Sequence, residues 1–178
     1  MKLSQIALAA GIAFASSCAL AAAAAGPNDA QIAAIVVTAN QVDIDAGQLA
    51  KSTSKSKEVQ DFAQLMITDH GGVNQSATDL VTKLHVTPES NATSESLKSG
   101  GDQNLAALRK LNGAAFDKAY VDHEVAYHQA VLDAVDKTLI PSAKNAELKA
   151  LLVKVRPAFV AHLQHAKTLQ ASLGKNGG

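Results

Sequence analysis

Between residues 28 and 173, apolar side chains recur every three or four positions in four separate stretches. That period is helical, and amphipathic helices hide their apolar faces by packing on one another. The first stretch, 28–53, carries Ile32, Ile35, Val36, Ala39, Val42, Ala46 and Leu49. It opens on Asn28 with Gln31 three residues later, the spacing of a capping box that satisfies free backbone donors. The second, 55–84, carries Val59, Phe62, Met66, Val73, Ala77, Leu80 and Leu84, with Ser54 as its expected cap. Gly71 and Gly72 weaken it by about 1 kcal/mol each relative to Ala, and a bend is expected there. The third, 114–139, runs through Phe116, Tyr120, Val121, Val125, Val131, Leu132 and Val135, and Pro141 is expected to halt it. The fourth, 142–173, begins at Ser142 and carries Leu148, Leu152, Val155, Phe159, Leu163 and Leu169. Pro157 inside it removes a backbone donor and predicts a kink just before His162.

Residues 85–113 hold Pro88, a serine-rich run, Gly100-Gly101 and Gly113 but no long stripe, so they read as a connection containing at most a short helix over Asp102–Leu111. The glycosylation-like Asn91-Ala92-Thr93 is read as chance. Two short turns and one long crossover fit an all-α, ferritin-like four-helix bundle; a plain up-down bundle with a loose middle is the alternative.

Ahead of these stretches, Lys2, the apolar run Ile6 to Leu20 and the small residues Ala21 to Ala25 have the order of a secretory signal peptide, with cleavage expected after Ala25. The mature domain is then 26–178, and its expected location is periplasmic or secreted. Cleavage removes Cys18, the single cysteine, so no disulfide or thiolate ligand is available to the exported form. A lipid anchor on Cys18 fits poorly because Ala15 stands where an aliphatic residue is wanted. No later apolar stretch reaches the roughly 20 residues of a membrane span. Lys and Arg number 16, Asp and Glu also 16, and no basic cluster occurs, which argues against nucleic acid as a partner. A protein partner in the cell envelope stays open.

Polar residues that fall in phase with the apolar stripes carry the chemistry. Asp43 lies on the first helix, Asp69 and His70 on the second, His123 and His128 on the third, and His162 on the fourth. In the second helix the phase runs Phe62, Met66, His70, Val73; in the fourth it runs Val155, Phe159, His162, Ala166. An antiparallel hairpin near residues 141–142 sets His162 opposite His123, with His128 about a turn away, at 1.5 Å rise per residue. If the second and third helices run parallel, His70 and His128 lie at about the same height, each roughly 15 residues into its helix.

Buried carboxylates and imidazoles are expensive unless paired or coordinated. One explanation is a transition-metal site for Zn, Fe, Cu or Mn, with Asp43, Asp69, His70, His128 and His162 as ligands and His123, Glu124 and Tyr120 as second choices. The other is an internal Asp–His network that fixes helix register. No Glu-x-x-His unit of the di-iron type is present: Glu124 and His128 are four apart, and His162 and His165 lack a carboxylate. Met66 with His162 could clamp a haem, but both read more simply as core residues. No Gly-x-Ser-x-Gly turn and no phosphate-binding glycine loop occurs. Tyr127 reads as a core cap, and His85 and His165 as helix-terminal or solvated groups.

Phe62-Ala63-x-x-Met66-x-x-Asp69-His70, then Phe116-Asp117-x-x-Tyr120 with His128 beyond, and finally His162-Leu163, resemble the exported bacterial family called domain of unknown function 4142. Val42-Asp43-Ile44-Asp45 with Leu49-Ala50 is similar to its first helix, where glutamate is usual at the place of Asp43. The resemblance spans about 29–173. It implies a ferritin-like four-helix fold outside the cytoplasm, no established catalytic activity, and motif positions at Asp43, Asp69, His70, Tyr120, His128 and His162. Aspartate in place of glutamate shortens a ligand from the first helix by one methylene. Taken together, the expectation is a non-catalytic, exported envelope bundle with a stress-related role and a buried Asp/His network, with a metal-binding protein for storage, sensing or redox protection as the alternative.

Overall fold

The computed structural model describes residues 26–176. Residues 1–25, whose pattern is that expected of a signal peptide, lie outside the described residues. All regular structure among them is helical: α1 (Asp29–Thr53), α2 (Lys57–Lys83), α3 (Ala92–Leu108), α4 (Gly113–Ala134) and α5 (Ala146–Asn176). α4 is prolonged by a π-helical turn, Val135–Leu139, and a last short stretch, Ile140–Ser142.

The helix starts follow local chemistry. Asn28 and Gln31 form the expected capping box on α1. α2 is capped by Ser56, whose side chain accepts from the backbone of Val59, while Ser54 ends α1. α5 starts later than expected. Pro141 does not halt the third helix, because the chain first widens into the π turn, where the Ile140 N–H reaches back five residues to the Val135 carbonyl. Ser142 therefore closes this extension, and Asn145 caps α5 by accepting from the N–H groups of Glu147 and Leu148. Asp29 adds a long-range clamp, its carboxylate accepting from the N–H groups of Lys144 and Asn145 at 2.9 and 3.0 Å. α2 passes through Gly71–Gly72 and α5 through Pro157 as unbroken helices.

The largest departure is the connection. Residues expected to be mostly loop contain α3, a 17-residue helix opened by a second capping box between Asn91 and Ser94. Its apolar stripe is thin, and α3 exists because it lies on α1. A side-chain carbon at Gly101 would sit 2.7 Å from Val42, so only glycine permits this approach. Asn91 is thus a helix cap, which explains its place before Ala92 and Thr93 without invoking glycosylation.

α1 packs along α2, α4 along α5, and α2 against α5. Two apolar clusters give the directions. One joins Ala46 and Ala50 of α1, Val59 and Phe62 of α2, Phe116 and Tyr120 of α4, and Ala166 and Leu169 of α5. The other joins Ile32 and Ile35, Ala77, Val135 and Leu139, and Leu148 and Leu152. The starts of α2 and α4 therefore share one end of the bundle with the ends of α1 and α5, and α3 crosses between them. Each fully buried Phe, Met or Leu in these clusters contributes on the order of 1.5–3 kcal/mol of burial free energy.

Candidate metal centre

Between the two apolar clusters lies a polar layer. Asp43 on α1, His70 on α2, Glu124 and His128 on α4, and His162 on α5 are each at most 3% exposed. One helical period places Glu124 and His128 on the same face of α4. The three imidazoles form a nearly equilateral triangle: their ring centres are 5.5 Å apart for His70–His128, 5.2 Å for His70–His162 and 5.4 Å for His128–His162. Potential ligand atoms of the three histidines lie within 4.8 Å of one another, as do those of Asp43, Glu124 and His128. His128 belongs to both groups.

Each imidazole is held from outside by one nitrogen and left bare at the other. His70 Nδ1–H donates to Asn40 Oδ1 at 2.7 Å, His128 Nδ1–H to the Glu124 carbonyl at 3.0 Å, and His162 Nε2–H to Asp69 Oδ2 at 2.9 Å. These partners accept, so the protons sit on the outer nitrogens. The inner nitrogens, His70 Nε2, His128 Nε2 and His162 Nδ1, then carry lone pairs and have no hydrogen-bond partner. The oxygens of Asp43 and Glu124 accept from no N–H or hydroxyl either; the two carboxyls lie against each other, within reach of a shared proton, and Glu124 Oε2 is 3.5 Å from His128 Nδ1. Yet His70 Nε2 lies 3.1 Å and His128 Nε2 3.5 Å from Asp43 Oδ2. The shorter separation has ion-pair distance without hydrogen-bond geometry. Electron-pair donors brought this close repel unless a proton or a cation lies among them.

Burial sets the protonation states. It lowers the pKa of His70 to about 2 and of His128 to about 4, and lowers that of His162 despite the opposing pull of Asp69. It raises Asp43 to about 7, and together with the neighbouring Asp43 charge it raises Glu124 well above its ordinary range. At neutral pH the imidazoles are neutral, the form that ligates metals. Phe159 stacks on His70 at 5.3 Å and closes that side with hydrocarbon.

The family called domain of unknown function 4142 matches residues 15–169. The chain belongs to it. No curated protein and no solved structure matches the chain.

Within this family member, the structure gathers four of the five first-choice residues: Asp43, His70, His128 and His162. Asp69 lies outside the group, its side chain 37% exposed, and holds His162 from the rim. Glu124, a second choice, is fully buried inside the centre. Tyr120 borders it, with a buried hydroxyl that lacks a partner and a pKa raised well above 10.0 by burial and by the Glu124 and Asp43 carboxylates. His123 turns away and stacks on Tyr127, whose hydroxyl donates to the Ala39 carbonyl. Met66 lies in the apolar cluster with Phe62. Sequence reasoning missed Asn40. It stands three residues before Asp43 on the same stripe, and that phase was the available signal.

Proposed function

We propose that this chain is an exported metal-binding helical bundle, holding one divalent first-row ion among Asp43, Glu124, His70, His128 and His162. One observation carries the reading: three buried imidazoles turn partnerless lone pairs inward while every outer nitrogen is anchored, and His128 joins this triad to a second one with the buried carboxyls Asp43 and Glu124. Metal-bound histidines have this outer support, because a carboxylate or carbonyl on the far nitrogen fixes tautomer and ring direction. Two carboxylates match the charge of a dication, and a nitrogen–oxygen donor set without sulfur suits Fe, Zn, Mn or Cu(II). The shared crossover order of the helices supports the ferritin-like assignment, whose bundle cores carry such sites. Export to the periplasm or beyond is supported by the charge, apolar run and small-residue pattern of residues 1–25. Storage, sensing or redox protection are the roles that fit a buried ion outside the cytoplasm.

A second reading is favoured by the raised pKa of Asp43. A proton on that carboxyl, donated toward His70 Nε2, would make the centre a structural network in an envelope scaffold.

Elemental analysis of protein purified from its native compartment separates the two. The metal reading expects about one ion per chain, lost in both His70→Ala and His162→Ala, with affinity falling as the pH drops through 7 and protons compete for Asp43. Clean apoprotein that rejects added Zn, Cu, Fe and Mn leaves only the proton network.

A further inference from the structure

The layer of Asp43, His70, Glu124, His128 and His162 is buried, so an ion that occupies it has to pass between helices. Two openings adjoin the layer. One lies between α1, α3, α4 and α5, has a volume of about 300 Å³ and reaches His70; among the described residues that line it there is no Lys, Arg, Asp or Glu. A dication shedding its water there meets mostly hydrocarbon, at a heavy cost in solvation. The other is a groove of about 400 Å³ between α2 and α5, and it reaches His162. At roughly 30 Å³ per water, a dication with six waters needs about 180 Å³ and fits within it.

Three features suit this groove to a cation. Asp69 lines it with a side chain 37% exposed, so the charge of its carboxylate is open to solvent. The His162 ring is the partition between groove and centre: Nε2–H donates to Asp69 Oδ2 at 2.9 Å, and the same ring belongs to the buried histidine triad. The third feature is Gly72, one turn beyond Asp69 on α2. A helical side chain leans back over the preceding turn, so a larger residue at 72 would lie over Asp69. Packing does not ask for glycine here, since an added Cβ meets nothing within 4 Å, and glycine weakens a helix relative to alanine. Its effect is to leave the carboxylate uncovered. Among the described residues that line the groove, Lys154 on α5 is the one positive charge.

We propose that Asp69 is an outer capture site for a hydrated dication and that the groove between α2 and α5 is the ion's way into the centre, opened when the His162 ring swings off Asp69. The proposal rests on the metal reading above. Its test is stopped-flow uptake of cobalt(II), followed by visible absorption, into chelator-stripped protein. Gly72→Phe, which covers Asp69, is expected to slow uptake and release alike by about tenfold and to leave affinity within about twofold, because a barrier common to both directions cancels from the equilibrium. Ser76→Phe, one turn further along the same wall, serves if that variant does not fold. Asp69→Asn keeps an acceptor for His162 without the charge; it slows uptake about fivefold at low salt, and the difference shrinks in about 0.5 M salt. Lys154→Gln removes the opposing charge and speeds uptake about twofold. Ala134→Phe, which narrows the apolar opening, leaves the rate within about twofold of the parent. A rate that the groove-covering variants leave unchanged, or that Ala134→Phe cuts instead, overturns the entrance. Uptake indifferent to Asp69→Asn overturns the capture role. A parent protein that binds none of Co, Zn, Cu, Fe and Mn overturns the metal reading itself, and the entrance with it.

Discussion

The two ends of the bundle are built from the same four helices, yet they are packed in different ways. At the end where α2 and α4 begin, aromatic rings meet edge to face: Phe62 contacts Tyr120 at 6.2 Å and His165 at 5.1 Å between ring centres. Val59, Phe62, Ala63 and Met66 of α2 are wholly buried there. At the opposite end the core is aliphatic, α4 widens into a π turn, and about 300 Å³ remains open beside His70. The polar layer sits where the two meet. One end thus supplies cohesion, while the other leaves room around a centre whose buried groups oppose folding unless a proton or ion is shared. The difference teaches that this fold concentrates its stability away from its chemistry.

The largest expected effect tests that contrast directly. Phe62→Ala at the filled end should destabilise the protein by about 3–5 kcal/mol, whereas Ala134→Phe at the open end should change stability by less than about 1.5 kcal/mol. Denaturant titration of both variants checks it, and equal losses at the two ends would erase the distinction.

The next effect concerns the acids of the layer. Asp43 has a folded pKa of about 7, above its ordinary 3.8, so its stabilising contribution is full below 3.8 and lost as pH rises through 7. Asn cannot ionise. Metal-free Asp43→Asn should therefore be more stable than the parent at pH 8, by roughly 2 kcal/mol, with the gap closing toward pH 4. Thermal melts in chelator across that range measure it; a variant less stable at pH 8 would mean that the carboxylate is paired favourably without metal.

The third effect is a slope rather than an offset and has the opposite sign. His70 is depressed to about 2 from 6.5, so its contribution is full above 6.5 and lost as pH falls below it, by up to about 1.4 kcal/mol per pH unit. His70→Gln should make the acid limb of the metal-free stability profile shallower between pH 6.5 and 4. An unchanged limb would place His70 in contact with water, and the polar layer would lose its dry character.

Much of this was readable from the chain and some of it could not be. The three- and four-residue spacing of apolar side chains determined that the chain is helical, because that period is a property of the backbone itself. The same phase placed Asp43, His70, His128 and His162 inward before any contact was known. α3 escaped because Ser90 to Gly101 carry little intrinsic helical preference. Its helix is supported by a surface of α1 that lies some 60 residues away in sequence, as the Asn91 Nδ2 bond to the Gln31 carbonyl illustrates. Asp69 at the rim and Glu124 in the layer were not separable in sequence, for a related reason. Both sit near histidines in sequence, but only packing decides which carboxylate turns into the layer and which stays at the rim. Local spacing thus determined the helices and their inward polar residues. Tertiary structure alone decided which nitrogen of each imidazole faces the centre, since that choice belongs to partners on other turns and helices, and it alone decided the cavity, since empty volume is a property of what fails to meet.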